Sequence, residues 1–141
     1  MNRIIPTLAI AGLLCTNALA ADISPAVVYD KAGKNDKSFN EAVFNGIKRF
    51  TKDTGIAVRE VEPTNEAQVG QGLSKLAKRK SSPIVAVGFS MANAVTTAAK
   101  EFPDTKFTII DMVVDLPNVQ SVVFTEHEGC FLVGALAAMK S

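Results

Sequence analysis

Tyr29-Asp30-Lys31-Ala32-Gly33-Lys34-Asn35-Asp36-Lys37-Ser38-Phe39-Asn40 is the stretch on which the reading of this chain turns. An apolar run, Ala26-Val27-Val28-Tyr29, leads into it, and residues of helical period follow from Phe39 to about Phe50. The pattern is a strand, a polar turn and a helix N-terminus. In an open parallel sheet the loop at the carboxyl end of the first strand is a usual place for a small ligand. This loop carries carboxylates, amides, a hydroxyl and an aromatic ring, the groups that grip a polar, planar molecule. Gly33 supplies the backbone freedom of a tight turn. Asp36 is placed to cap the helix through its carboxylate. A capping turn with no ligand would need the same residues.

Outward from this loop, strands and helices alternate. Phe39, Val43, Ile47 and Phe50 mark one face of a first helix over about Ser38 to Thr54, and Gly55 ends it. Ile56 to Val61 alternates as an edge strand does. Asn65 caps a second helix through Ala67, Val69, Leu73, Leu76 and Ala77, which closes on Lys78-Arg79-Lys80, cations at the end the helix dipole favours. Ile84-Val85-Ala86-Val87 is continuously apolar, as in a central strand covered on both faces. Gly88-Phe89-Ser90 turns into a third helix, Met91 to about Phe102. Phe107 to Ile110 and Val119 to Phe124 are the last two strands, and a final helix starts near Glu126. Short connections between alternating elements imply an α/β, Rossmann-like parallel sheet with helices on both faces, in the order 2-1-3-4-5. The loops after strands 1 and 3 then flank the switch-point crevice. Asp36, Phe39, Asn40, Phe89 and Ser90 are expected there, with Asp111 at the same edge.

The chain has 141 residues, 48% of them hydrophobic, enough for one domain with a full core. Fifteen basic residues nearly balance fourteen acidic ones, and no basic stripe suggests a nucleic-acid partner. Lys75 to Lys80 reads as a solvated helix end. Arg3, the apolar Ile4 to Leu14 and the small-x-small Ala18-Leu19-Ala20 form a secretory signal, with cleavage expected after Ala20. Its apolar core is shorter than the ~20 residues a membrane span needs. Leu14 stands where a lipoprotein signal puts a small residue before its cysteine, so no lipid anchor is expected at Cys15. Cleavage would leave Cys130 alone, in the role of a small buried hydrophobe.

Cofactor chemistry finds no motif. Gly70-Gln71-Gly72 falls inside a helix, where it cannot act as a dinucleotide loop, and no phosphate-loop lysine pattern occurs. His127, between Glu126 and Glu128, has no clustered metal ligands. A rival reading is hydrolysis. Gly88-Phe89-Ser90-Met91-Ala92 approximates a nucleophile elbow, and an acid (Asp111 or Asp115) and His127 follow in the right order. Ala92 stands where that motif has glycine, and no glycine-rich oxyanion segment precedes it. A ligand-sensing regulator would need a DNA-binding headpiece in place of the export signal.

Three blocks carry a family resemblance. Gly33 to Asn40 resembles the first-loop motif of the basic membrane protein family, the substrate-binding subunits of ABC importers related to purine nucleoside receptors. Ile109-Ile110-Asp111 with Leu116-Pro117-Asn118-Val119, and Phe124-Thr125-Glu126-His127-Glu128-Gly129-Cys130-Phe131-Leu132-Val133-Gly134-Ala135-Leu136-Ala137-Ala138, follow in family order. The resemblance implies the N-terminal lobe of a type I periplasmic binding protein over residues 21–141, without catalysis. Such a protein is periplasmic or cell-surface associated and delivers a nucleoside, purine first, to a membrane permease. Carried over, Asp36 and Asn40 would bond the base, Phe39 would shape or stack on it, and Asp111, Phe89 and Ser90 would line the crevice. Family chains continue into a second lobe where this sequence stops at Met139-Lys140-Ser141. A small serine hydrolase built on Ser90, or a non-functional fragment, are the alternatives.

Overall fold

The computed structural model describes residues 23–140. The signal segment, with Cys15 and the expected cleavage at Ala20, lies outside the described residues. Five strands form one parallel sheet: β1 (Ala26–Val28), β2 (Arg59–Val61), β3 (Ile84–Val87), β4 (Phe107–Ile110) and β5 (Val119–Val122). Their order is β2-β1-β3-β4-β5, as the alternation of elements implies. Four helices intervene or follow: α1 (Phe39–Thr54), α2 (Glu66–Lys78), α3 (Ala92–Glu101) and α4 (Glu126–Lys140).

Alternation along the strands divides the core. Ala26 and Val28, Ile84 and Ala86, and Phe107 and Ile109 face α2 and α3, where Leu73, Leu76, Val95 and Ala98 close over them. Val27, Tyr29 and Val87 face the other way, against Val43, Phe44 and Ile47 of α1. Only Asn40 of α1 is fully buried, and its apolar stripe stays half-open because one helix covers that side of the sheet. A cavity of about 440 Å³ remains beside α1, lined by Ile23, Val27, Ile47, Phe50, Val58 and Val85 among others.

Local chemistry sets the helix ends. Gly55 adopts φ 73° and donates to Thr51 O, the left-handed C-terminal stop its position suggests. Asn65 Oδ1 accepts from Gln68 N–H at 3.1 Å and caps α2. The buried Asn118 caps the far end of α3, its Nδ2 donating to Ala99 O (3.0 Å), Phe102 O (3.2 Å) and Thr105 O (3.1 Å). The Pro117-Asn118 block therefore has a structural reason to exist.

Two expectations are corrected. Strand β2 is shorter than the alternating stretch from Ile56, because only Arg59 to Val61 pair with β1. Cys130 is exposed, since no residue of α4 is buried; the helix stands clear of the sheet with Phe131, Leu136 and Met139 open to solvent. Among the described residues no helix is long and apolar enough to cross a membrane.

Candidate ligand-binding site

Parallel pairing of β1 with β3, and of β3 with β4, brings the loops after those strands to one edge of the sheet. Each loop departs from ordinary backbone there. Gly33 has φ 72°, Gly88 φ 104° and Asp111 φ 68°, the last a left-handed conformation that aspartate tolerates better than most residues.

In the β1–α1 loop the predicted residues divide by role. Asp36 is the functional cap of α1: Oδ1 accepts from the backbone N–H groups of Ser38 (2.8 Å) and Glu41 (3.0 Å), and Oδ2 from that of Asn40 (3.0 Å). Desolvation raises its carboxyl, but these N–H groups together prevail and hold it below its ordinary 3.8. Oδ1 takes two of these bonds and Oδ2 one. Asn40 is wholly buried. Its Nδ2 donates to Asp30 Oδ1 (2.6 Å) and Gly33 O (3.0 Å), which binds the loop to itself. Asn40 Oδ1 is buried without a hydrogen-bond partner. Phe39, one residue earlier, is 37% exposed.

At the β3 end, Phe89 to Met91 form a 3-10 turn running into α3. Met91 points into the core, while Phe89 is 66% exposed and Ser90 is also open. Ser90 thus sits inside the turn that joins β3 to α3. At the β4 end, Asp111 N–H donates to Val122 O at 2.7 Å, which fixes its backbone. The Asp111 side chain shares a hydrogen bond with Glu126 at the start of α4, and this contact, with the repulsion between the two acids, raises the Glu126 carboxyl above its usual range. No group of three metal-ligating side chains occurs among the described residues.

The sequence reading missed a charged cluster beside the loop. Lys34 Nζ lies 3.1 Å from Glu62 Oε1 and 3.4 Å from Glu60 Oε2. Tyr29, fully buried, donates its hydroxyl to Glu60 Oε2 at 2.9 Å. Burial, and then this bond to Glu60, push the Tyr29 phenol far above its ordinary range. The signal was present: Glu60 lies on the edge strand and Glu62 just past its end, two residues apart, the spacing that puts side chains on one face of extended chain.

The five-stranded parallel sheet in the order β2-β1-β3-β4-β5, with helices on both faces, has the Rossmann-like α/β fold, and Phe39, Phe89, Asp36 and Ser90 lie beyond the carboxyl ends of its strands. Comparison with known proteins makes this specific. Residues 23–141 match the family model described as "ABC transporter substrate-binding protein PnrA-like", and the chain belongs to that family. A lipoprotein of Pyrococcus horikoshii is 31% identical over 119 residues, which are 82% of this chain and 29% of that one. The ABC transporter nucleoside-binding protein of Lactococcus lactis is 29% identical over 122 residues, 83% of this chain and 35% of its own. Among solved structures, an ABC transporter solute-binding protein from Aeropyrum pernix superposes with a TM-score of 0.74 at 30% identity, covering 79% of this chain and 31% of that one. The chain therefore spans about a third of the length of these relatives. That a relative is named a lipoprotein gives no support to the expectation of an unlipidated Cys15.

Proposed function

We propose that this chain forms the ligand-binding N-terminal lobe of an exported ABC importer subunit, that its ligand is a nucleoside, and that it binds without catalysis and delivers the ligand to a membrane permease. The observation that carries the reading is the pair of open rings, Phe39 at the start of α1 and Phe89 in the turn after β3, each following one of the adjacent strands β1 and β3. Flat heterocycles stack on such rings, each contact worth about 1–3 kcal/mol. Asp36 Oδ2, which accepts from one backbone N–H, supplies an acceptor for a base N–H, and Ser90 and Asp111 supply polar groups along the same edge. Asn40 is closed to solvent, so in this reading it shapes the loop and its neighbours meet the base. The name of the L. lactis relative supports the ligand class. The family and the sheet-edge geometry both favour binding over hydrolysis at Ser90.

The test is calorimetric titration of the chain with inosine, adenosine, guanosine and cytidine. Saturable binding of a purine nucleoside, weakened about tenfold or more in Phe89→Ala, is the expected result. Binding unchanged in both Phe89→Ala and Asp36→Ala would remove this edge of the sheet from the site.

A further inference from the structure

We propose that Lys34 is the positioning residue of the β1–α1 loop: held by Glu60 of β2 and by Glu62 just beyond that strand, it fixes the arc from Gly33 to Ser38 before any ligand arrives. The inference rests on the reading of that loop as the ligand edge and adds how the edge is kept in shape.

Lys34 meets Glu62 twice. Its backbone N–H donates to Glu62 Oε2 at 3.2 Å, while its ammonium pairs with Oε1 at 3.1 Å. The same ammonium reaches Glu60 Oε2 at 3.4 Å and lies 5.1 Å from the centre of the Phe44 ring of α1. One side chain thus joins the loop, the edge strand and the first helix. Glu60 is held in turn by the buried Tyr29 hydroxyl. Gly33 fits the arrangement as well: a Cβ there would sit 3.4 Å from Glu62 Oε2, on a backbone at φ +72° that side chains rarely adopt. Among the described residues, the side-chain hydrogen bonds and ion pairs from residues 30–38 to Glu60 and Glu62 all run through Lys34. The remaining loop bonds are internal or go to α1, apart from the exposed Lys31–Glu66 pair at the start of α2.

An exposed ion pair adds little to global stability. Lys31–Glu66, with both side chains more than half exposed, is such a pair, whereas the Lys34 and Glu60 side chains are only 27% and 28% exposed. Two carboxylates on one cation, one of them also gripping the backbone, restrict the loop's conformations in a way a lone surface pair cannot. An arc fixed in advance spares the ligand the entropy of ordering it.

The experiment compares the full chain with Lys34→Met, Glu62→Gln and, as a control, Lys31→Met. Amide hydrogen exchange over residues 33–38 is read without ligand, together with the thermal midpoint and the affinity for inosine. Expected is exchange about tenfold faster in the arc for Lys34→Met and Glu62→Gln, with the midpoint at neutral pH lowered only by the small amount that a partly exposed pair contributes and the control like wild type. Inosine affinity should fall about tenfold in the same two variants. Wild-type exchange rates in both variants overturn the inference, as does acceleration spread over the whole chain with a midpoint lowered well beyond that amount. If the arc loosens as expected but the wild-type chain takes up no nucleoside, the positioning role stands and the nucleoside reading falls.

Discussion

Asn40 Nδ2 lies 2.6 Å from Asp30 Oδ1, joining the first turn of α1 to the last residue before the loop. The same amide donates to Gly33 O, and the residue is fully buried. Loss of a buried donor that serves two acceptors costs about 1–3 kcal/mol. Asn40→Ala should lower the unfolding free energy by that amount in urea titration. Asn40→Asp should cost more at neutral pH, because it sets a carboxylate against Asp30, and should recover in part in acid. Wild-type stability in Asn40→Ala would show that the loop does not depend on this bond.

Asn118 gives a second stability prediction. Its amide serves carbonyls of Ala99, Phe102 and Thr105 where α3 ends. Ala99 O lies in the last turn of α3, where carbonyls lack an intrahelical partner, while Phe102 O also accepts from the Thr105 N–H at 3.1 Å. Asn118→Ala should cost about 1–3 kcal/mol by chemical denaturation, with hydrogen exchange fastest in the last turn of α3. An unchanged midpoint would mean that water takes over the cap without loss.

These two asparagines also show where sequence reading reached its limit. The order of elements and the strand order were legible because period two and period 3.6 alternate cleanly, and because Gly55 and Asn65 mark helix ends in ways local chemistry dictates. Asp36 was legible as a cap for the same reason: its acceptors are used within five residues. Asn40 looked the same as a ligand group until burial was known, since its partners depend on how the loop closes. Lys34 and Glu62 are 28 residues apart, and their pairing exists only because β2 lies beside β1. The exposure of Cys130 depends on the placement of all of α4, which no local pattern records.

The acid limb of the stability curve should depend on Asp36 and Glu62. The Lys34 backbone N–H, followed by its ammonium, lowers the Glu62 carboxyl from its ordinary 4.5. Asp36 is likewise held below 3.8 in the fold. A carboxyl with a lowered folded pKa adds stability above its unfolded value and loses it as pH falls through the folded one. Thermal midpoints should therefore decline as pH drops below about 4.5, and Asp36→Asn and Glu62→Gln should each flatten the decline. Identical acid limbs in wild type and both variants would contradict these bonds.

Helix α4 gives the prediction that bears most directly on how the lobe behaves in solution. It is rich in large apolar side chains, yet Phe131, Leu136 and Met139 are 74%, 61% and 85% exposed. Substitutions at such positions change stability by no more than about 0.5 kcal/mol. Leu136→Glu should leave the unfolding midpoint of the chain unchanged while reducing concentration-dependent association in sedimentation, because an open apolar surface favours self-contact. Cys130 lies on the same helix and is exposed, so a thiol reagent should label it in the native chain as fast as in denaturant. Protection of Cys130 at dilution, together with a loss of more than about 2 kcal/mol in Leu136→Glu, would place α4 against the body of the lobe. Protection that appears only as concentration rises would instead locate the contact between copies of the chain.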